Sequence, residues 1–244
     1  MGVHRVWVEE VREPGVLVVA GDEAAHALRV KRLEPGDRVE VLDGRGRVGE
    51  GTLLSAHKQG KSHWAAQIDV RSVRQAPPTS PRVVVRTGVP KGERVEQMLD
   101  GLSQVGAAAW GPLRTARSVV DPRSGKMDRL TRVAREASKQ CGRAWTLEVL
   151  PGTDLAPALA ESGPRAVLAD ASGAPYEPTG AGEVLLLVGP EGGWEPAEIE
   201  RARRAGARVA SFGVHVMRVE TAAVASAAIV LDAERRAALS VGRG

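Results

Sequence analysis

The chain has 244 residues, 43% apolar and only 3% aromatic, so the core of one large domain or of two smaller ones must be built from valine, leucine and alanine. A single cysteine excludes a disulfide framework and any multi-cysteine metal site. No apolar run approaches membrane-spanning length and the charged N-terminus MGVHRVWVEE does not read as a signal peptide, so a soluble cytoplasmic protein with no membrane or metal partner is expected.

Net charge is +4 but unevenly spread. Residues 1–72 hold 11 Lys+Arg and 11 Asp+Glu, residues 73–150 hold 14 and 7, and residues 151–244 hold 9 and 12. The excess in the middle third points to a polyanion-facing surface. Composition alone reads equally well as that of a GC-rich genome or a heat-adapted protein.

Residues 1–72 read as an all-β unit with one short helix, suited to a small barrel. Val6 to Val8, Val16 to Ala20, Arg38 to Leu42, Val48 to Leu54 and Trp64 to Val73 are the strands, and Asp22 is a candidate N-cap for a helix carrying His26, Leu28 and Val30. Asp43-Gly44-Arg45-Gly46 is a hairpin signal. Gly44, Gly46 and Gly49 match G-x-G-x-x-G, but a strand rather than a helix is expected next, so dinucleotide binding is rejected. His57 and His63 sit in a polar stretch that reads as a solvated turn without a third metal ligand. Residues 73–81, ending in Pro-Pro-Thr-Ser-Pro, read as a linker.

From residue 82 to 244 strands and helices alternate, which predicts a parallel sheet covered on both faces. Strands are expected at 82–89, 107–113, 146–150, 165–169, 184–188 and 209–212. Helices are expected at 92–104 (ended by Gly106), 127–141, 155–162, from Pro196 to Gly206, and from an N-cap at Thr221 to about Leu239. Gly189-Pro190-Glu191-Gly192-Gly193 and the loop opened by Gly213 therefore follow two strands at one end of one sheet, where open α/β sheets bind ligands. Either loop alone reads as a tight turn. Arg218 and Glu220 in the second have no evident structural purpose.

VLLLVGPEGGWEPAEIERARRAG followed by SFGVHVMRVETAAVASAAIVL resembles the RsmE family of SPOUT methyltransferases. HALRVKRLEPGD, KGERVEQMLDGLSQVGAAAWGPLRTARSVV and REASKQCGRAW extend the likeness over nearly the whole chain. Gln104-Val105-Gly106 stands where the family usually has Glu-Leu-Gly, Val219 where a Thr is common, and Val214-His215 where a Pro-Arg-like pair is usual. The resemblance implies S-adenosylmethionine-dependent methylation of N3 of a uridine in small-subunit (16S) ribosomal RNA. It also implies a PUA-like RNA-binding domain over 1–72, a trefoil knot in the C-terminal domain and a homodimer acting on ribosomal RNA or the small subunit.

The resemblance places the cofactor against Leu187, Val188, Gly189, Pro190, Glu191, Gly192 and Gly193 on one side. Phe212, Gly213, Val216, Met217, Arg218, Thr221 and Ala222 form the other, with Asp170 beside Leu168 as a third wall. Arg218 would stabilise negative charge on the uracil oxygens. Glu220 would either accept a proton or, as we favour, orient Arg218 and cap the helix. Candidate RNA contacts are Arg29, Lys31, Arg32, Lys91, Arg94, Arg117, Arg123, Lys126 and Arg143. Cys141 reads as a packing residue, because N3 needs no covalent adduct. A SPOUT enzyme with another RNA target, a non-catalytic ribosome-assembly module and a nucleotide-dependent α/β enzyme are the competing readings.

Overall fold

Alternation with a period of two builds the first sheet. Val39 and Val41 of β3 (Arg38–Leu42), Leu53 of β4 (Arg47–Gln59) and Ala66, Ile68 and Val70 of β5 (His63–Gln75) share one buried cluster. With β1 (His4–Trp7) and β2 (Gly15–Ala20) they form a five-stranded sheet of order β1-β3-β4-β5-β2. β1 runs parallel to β3 and the other pairs are antiparallel. At the β3–β4 turn the Asp43 carboxylate accepts the amides of Arg45 and Arg47 at 2.8 and 3.2 Å, so its glycines serve a hairpin. The helix expected after Asp22 is α1 (Gly21–Ala25), prolonged by a wider helical turn over His26–Val30.

His57 and the backbone of His63 lie in β4 and β5, not in a turn, because the ladder continues to Gln59 opposite His63. Backbone pairing needs no buried side chain, and so polar sequence does not end a strand.

The computed structural model describes residues 4–59, 63–119 and 124–241. Packing divides the chain into two units, Met1–Pro78 with Ser138–Thr146, and Thr79–Ala137 with Leu147–Gly244. In the first, the later segment is tied in by buried Lys139, whose amine lies 3.1 Å from Glu23, and by the Trp145 indole, which donates to the Ala76 carbonyl at 2.8 Å.

The second unit alternates strand and helix. In order it comprises β6 (Arg82–Thr87), α2 (Arg94–Val105), β7 (Ala109–Arg114), α3 (Ser124–Cys141, whose last turn belongs to the first unit) and β8 (Glu148–Val149). β9 (Thr153–Asp154), α4 (Leu155–Ser162), β10 (Ala166–Pro175), β11 (Glu183–Val188), α5 (Pro196–Arg204), β12 (Arg208–Ser211) and α6 (Val219–Val241) follow. The sheet order is β12-β10-β11-β6-β7-β8, with β9 beside β7, and every pair is parallel.

Both faces are covered, which is why β11 reads as an unbroken apolar run. Val83, Val85, Val184, Leu186 and Val188 meet α2, α3 and α6 in one cluster. Val84, Leu185, Leu187 and Leu168 meet α4 and α5 in the other. Gly106 ends α2 in the left-handed conformation, φ 96°. α6 starts at Val219, two residues before the expected cap.

Candidate functional site

β11, β10 and β12 are adjacent and parallel, so their carboxyl ends share one edge of the sheet. Three features crowd there: the GPEGG loop after β11, the 212–218 loop after β12, and a register shift in β10 between Ala169 and Ala174. They enclose a cavity of about 300 Å³.

The first loop is set by close approach. The Gly193 amide donates to the Pro190 carbonyl at 2.8 Å, with Gly193 at φ 69°. A Cβ at Gly88, just past β6, would come within 2.7 Å of Pro190, so only glycine lets the loop lie on the end of that strand. The Trp194 indole covers Gly189 and donates to the Ala169 carbonyl at 3.0 Å, joining this loop to β10. Behind the loop, buried Glu198 accepts the amides of Glu195 and Ala116, both at 2.9 Å, which fixes the start of α5.

The second loop rests on an aromatic pair. Phe212 stacks on Tyr176, centroids 5.4 Å apart, and the Tyr176 hydroxyl donates to buried Glu234 of α6 at 2.7 Å. Burial, reinforced by Glu234, holds the Tyr176 hydroxyl well above the usual phenol range. From α6 itself Val219, Ala222 and Ser226 line the cavity, spaced three and four residues apart on one helix face. Ser226 is 1% exposed and its Oγ has no hydrogen-bond partner.

The walls are mostly apolar or backbone, with Asp170, Glu191 and His215 as the ionisable side chains and, among the described residues, no lysine or arginine. Such a cavity suits a flat base joined to a positive group.

Val188, Gly189, Pro190, Glu191, Gly193, Phe212, Gly213, Val216, Met217 and Ala222 all line it, as does Asp170. Leu168 and Leu187 do not. Strand alternation turns their side chains into the opposite core layer, against Leu113 and Trp194. Gly192, Arg218 and Thr221 are exposed and lie off the lining. Sequence reasoning missed Ala169, Ala171, Trp194, Ser211, His215, Val219 and Ser226. The signal for Trp194 and Ser211 was adjacency to the glycine loops. For Val219 and Ser226 it was helical spacing from Ala222.

Glu220 is half-buried. One carboxylate oxygen lies 3.8 Å from Arg94 and the other is buried without a partner. Arg94 also lies 3.6 Å from Glu191, so it bridges the GPEGG loop and the start of α6. Arg117 likewise engages the loop, donating to the Gly192 carbonyl at 2.8 Å and lying 3.8 Å from Glu195. Of the other RNA candidates, Arg29, Arg32 and Lys91 are exposed and Lys126 is half-buried. The Lys31 amine reaches the Arg5 carbonyl at 3.5 Å. Burial lowers the pKa of Arg143, partly offset by Cys141. Arg123 lies outside the described residues. Among the described residues no cluster of three or more His, Cys, Asp or Glu could hold a metal, and no helix is long and apolar enough to cross a membrane.

An RNA methyltransferase domain family matches residues 77–231, and an RNA methyltransferase PUA domain family matches residues 19–61. The chain is 31% identical over 235 residues to the ribosomal RNA small subunit methyltransferase E of Mycobacterium bovis, covering 89% of this chain and 87% of that one. It is 27% identical over 231 residues to the protein of that name from Bacillus subtilis, covering 88% and 89%. In structure it resembles a putative methyltransferase of Legionella pneumophila in complex with S-adenosylmethionine, with TM-score 0.82, 24% identity, and 96% and 98% of the two chains covered. It also resembles the ribosomal RNA small subunit methyltransferase E of Neisseria gonorrhoeae bound to the same compound, with TM-score 0.81, 23% identity, and 93% and 96% covered.

Proposed function

This chain belongs to the RsmE family of RNA methyltransferases, and we propose that it uses S-adenosylmethionine to methylate N3 of one uridine in 16S ribosomal RNA. The observation that carries this reading is the cavity at the carboxyl ends of β11, β10 and β12. It offers apolar and backbone surface for adenine and the carboxylates of Asp170 and Glu191 for the cationic end, with no lysine or arginine among its described lining residues. The residues present fit the cofactor, and the unpartnered Ser226 hydroxyl is a further polar group awaiting a ligand.

Bound there, the cofactor supplies an electrophilic methyl group. The protein's own work is alignment and charge stabilisation. Uridine N3 carries a proton near neutral pH, and its loss to solvent water leaves negative charge on the neighbouring ring oxygens. Arg218 is exposed, one residue before α6, and is free to meet that charge. Glu220 sits in the first turn of α6, where a carboxylate favours the helix, and holds Arg94. We assign it a structural role. The target base would leave its stack to reach the cavity.

In the same reading residues 1–72 are a PUA-like RNA-binding domain and 82–244 the methyltransferase domain. The strand order supports a knot: after edge strand β12 the chain returns to lay α6 against α2, β6 and β11. We propose that residues 212–218 thread a loop in doing so, and that the active chain is a homodimer. Val214 and Val216, 93% and 97% exposed, give that loop an apolar surface for a partner.

The test is methyl transfer to unmodified 16S ribosomal RNA or small subunits, read by nucleoside mass spectrometry, with Arg218→Ala in parallel. The expected result is a single N3-methyluridine, with turnover at least about a hundredfold lower in the variant while cofactor binding holds. A methyl group on another atom would overturn the N3 assignment, and full turnover by the variant would overturn the role of Arg218.

A further inference from the structure

We infer that Ser226 is a cofactor-positioning residue whose hydroxyl hydrogen-bonds the adenine base at the buried α6 wall of the cavity. The inference rests on the reading of this cavity as a site for S-adenosylmethionine. Buried hydroxyls are normally satisfied, and leaving one unpaired costs stability. Ser226 is 1% exposed, lines the cavity, and its Oγ has no partner among the described residues or within its own helix. Its neighbours along α6 are Ala223, Val224, Ala225 and Ala227, so an alanine at 226 would suit the helix and the core at least as well.

Position decides which part of the ligand it meets. Along the lining face of α6, Val219 and Ala222 come first and Ser226 follows one turn later, at 1% exposure. Asp170 of β10 is half-exposed and Glu191 of the GPEGG loop is exposed. The charged end of the cofactor therefore belongs with these more exposed carboxylates, and the flat base with the buried α6 wall that carries Ser226. A serine hydroxyl both donates and accepts, and so it can pair with either kind of group on the adenine edge.

This arrangement predicts effects of opposite sign. In Ser226→Ala the ligand-free protein loses an unsatisfied buried hydroxyl, so its melting temperature should hold or rise. Affinity for S-adenosylmethionine should fall about three- to tenfold, the range of one neutral hydrogen bond. Calorimetry with S-adenosylmethionine and with adenosine alone, on wild type, Ser226→Ala and the near-isosteric Ser226→Cys, provides the test. The same loss with adenosine is expected, because the base is the shared part.

Loss with S-adenosylmethionine but not with adenosine would overturn the assignment to the base. Unchanged affinity in both variants would overturn the inference entirely and leave the hydroxyl to bond the Ala222 carbonyl one turn back. A lower ligand-free melting temperature in both variants would show that the hydroxyl serves the fold and would equally overturn it. A wild-type chain that binds neither compound would instead sink the cofactor reading on which this one stands.

Discussion

Glu234 joins the fold to the site through one side chain. It is 3% exposed and accepts the Tyr176 hydroxyl at 2.7 Å, the Thr179 amide and hydroxyl both at 2.6 Å, and the Gly180 amide at 3.0 Å. Burial pushes its carboxyl up, but the hydrogen bonds from Thr179, Tyr176 and Gly180 outweigh that and hold it below the usual range. A depressed folded pKa stabilises the fold at pH values above the unfolded pKa, and the contribution is lost as pH falls through the folded value. Glu234→Gln would set amide hydrogens against backbone donors and should cost about 2–3 kcal/mol at neutral pH. Urea denaturation should show the gap to wild type closing as pH falls through the native carboxyl's lowered pKa, where it protonates. A gap that stayed constant with pH would mean the charge is not what stabilises this contact. The sequence gives no sign of Glu234, a lone acid in a helix of ordinary pattern whose partners lie more than fifty residues away. Ser226 was equally hidden, because its run of alanines and valines reads as core.

Elements were the most legible scale. Each strand and helix expected in the second unit appears where periodicity and glycine stops put it, because hydrophobic spacing and left-handed glycines are local signals, whereas the two-residue β9 (Thr153–Asp154) is too short to leave a pattern and was not expected. β10 ran longer, to Pro175 instead of Ala169, because its irregular end is held by β12 and not by its own sequence. What joins elements is not local. Arg94, at the head of α2, reads as one more cation for RNA, yet it spans Glu191 of one loop and Glu220 of α6, at 3.6 and 3.8 Å. Each half-exposed pair is worth at most about 1 kcal/mol. Arg94→Ala should therefore leave the melting temperature nearly unchanged while cofactor affinity falls about two- to fivefold, measured by titration calorimetry, as the two walls lose their tie. An unaffected affinity would return Arg94 to the pool of RNA contacts.

At the scale of the whole molecule the candidate RNA contacts reduce to a shorter list of available cations. Arg94 and Arg117 are engaged with the glycine loop, whereas Arg29, Arg32 and Lys91 remain exposed. If about four to six phosphates are met, log affinity for RNA against log salt should have a slope of roughly −3 to −4. Arg29→Ala and Arg32→Ala should each flatten it by about 0.7, measured by filter binding across a salt series. A flat response in the wild type would refute phosphate contact as the source of affinity. The division into two units was only half legible. Proline-rich residues 76–81 mark a break in any reading, but nothing local announces that Ser138–Thr146 packs with the first unit. That discontinuity has a consequence in time. A nascent chain has Glu23 and Ala76 in place long before Lys139 and Trp145, their later partners, have been made. At about 5–20 residues per second the intervening stretch of about 60 residues takes roughly 3–12 s to synthesise. The first unit, although it begins the chain, is thus completed only after the opening stretch of the strand–helix unit, Thr79–Ala137, has been translated. Its finished form reports that the ribosome has passed residue 146.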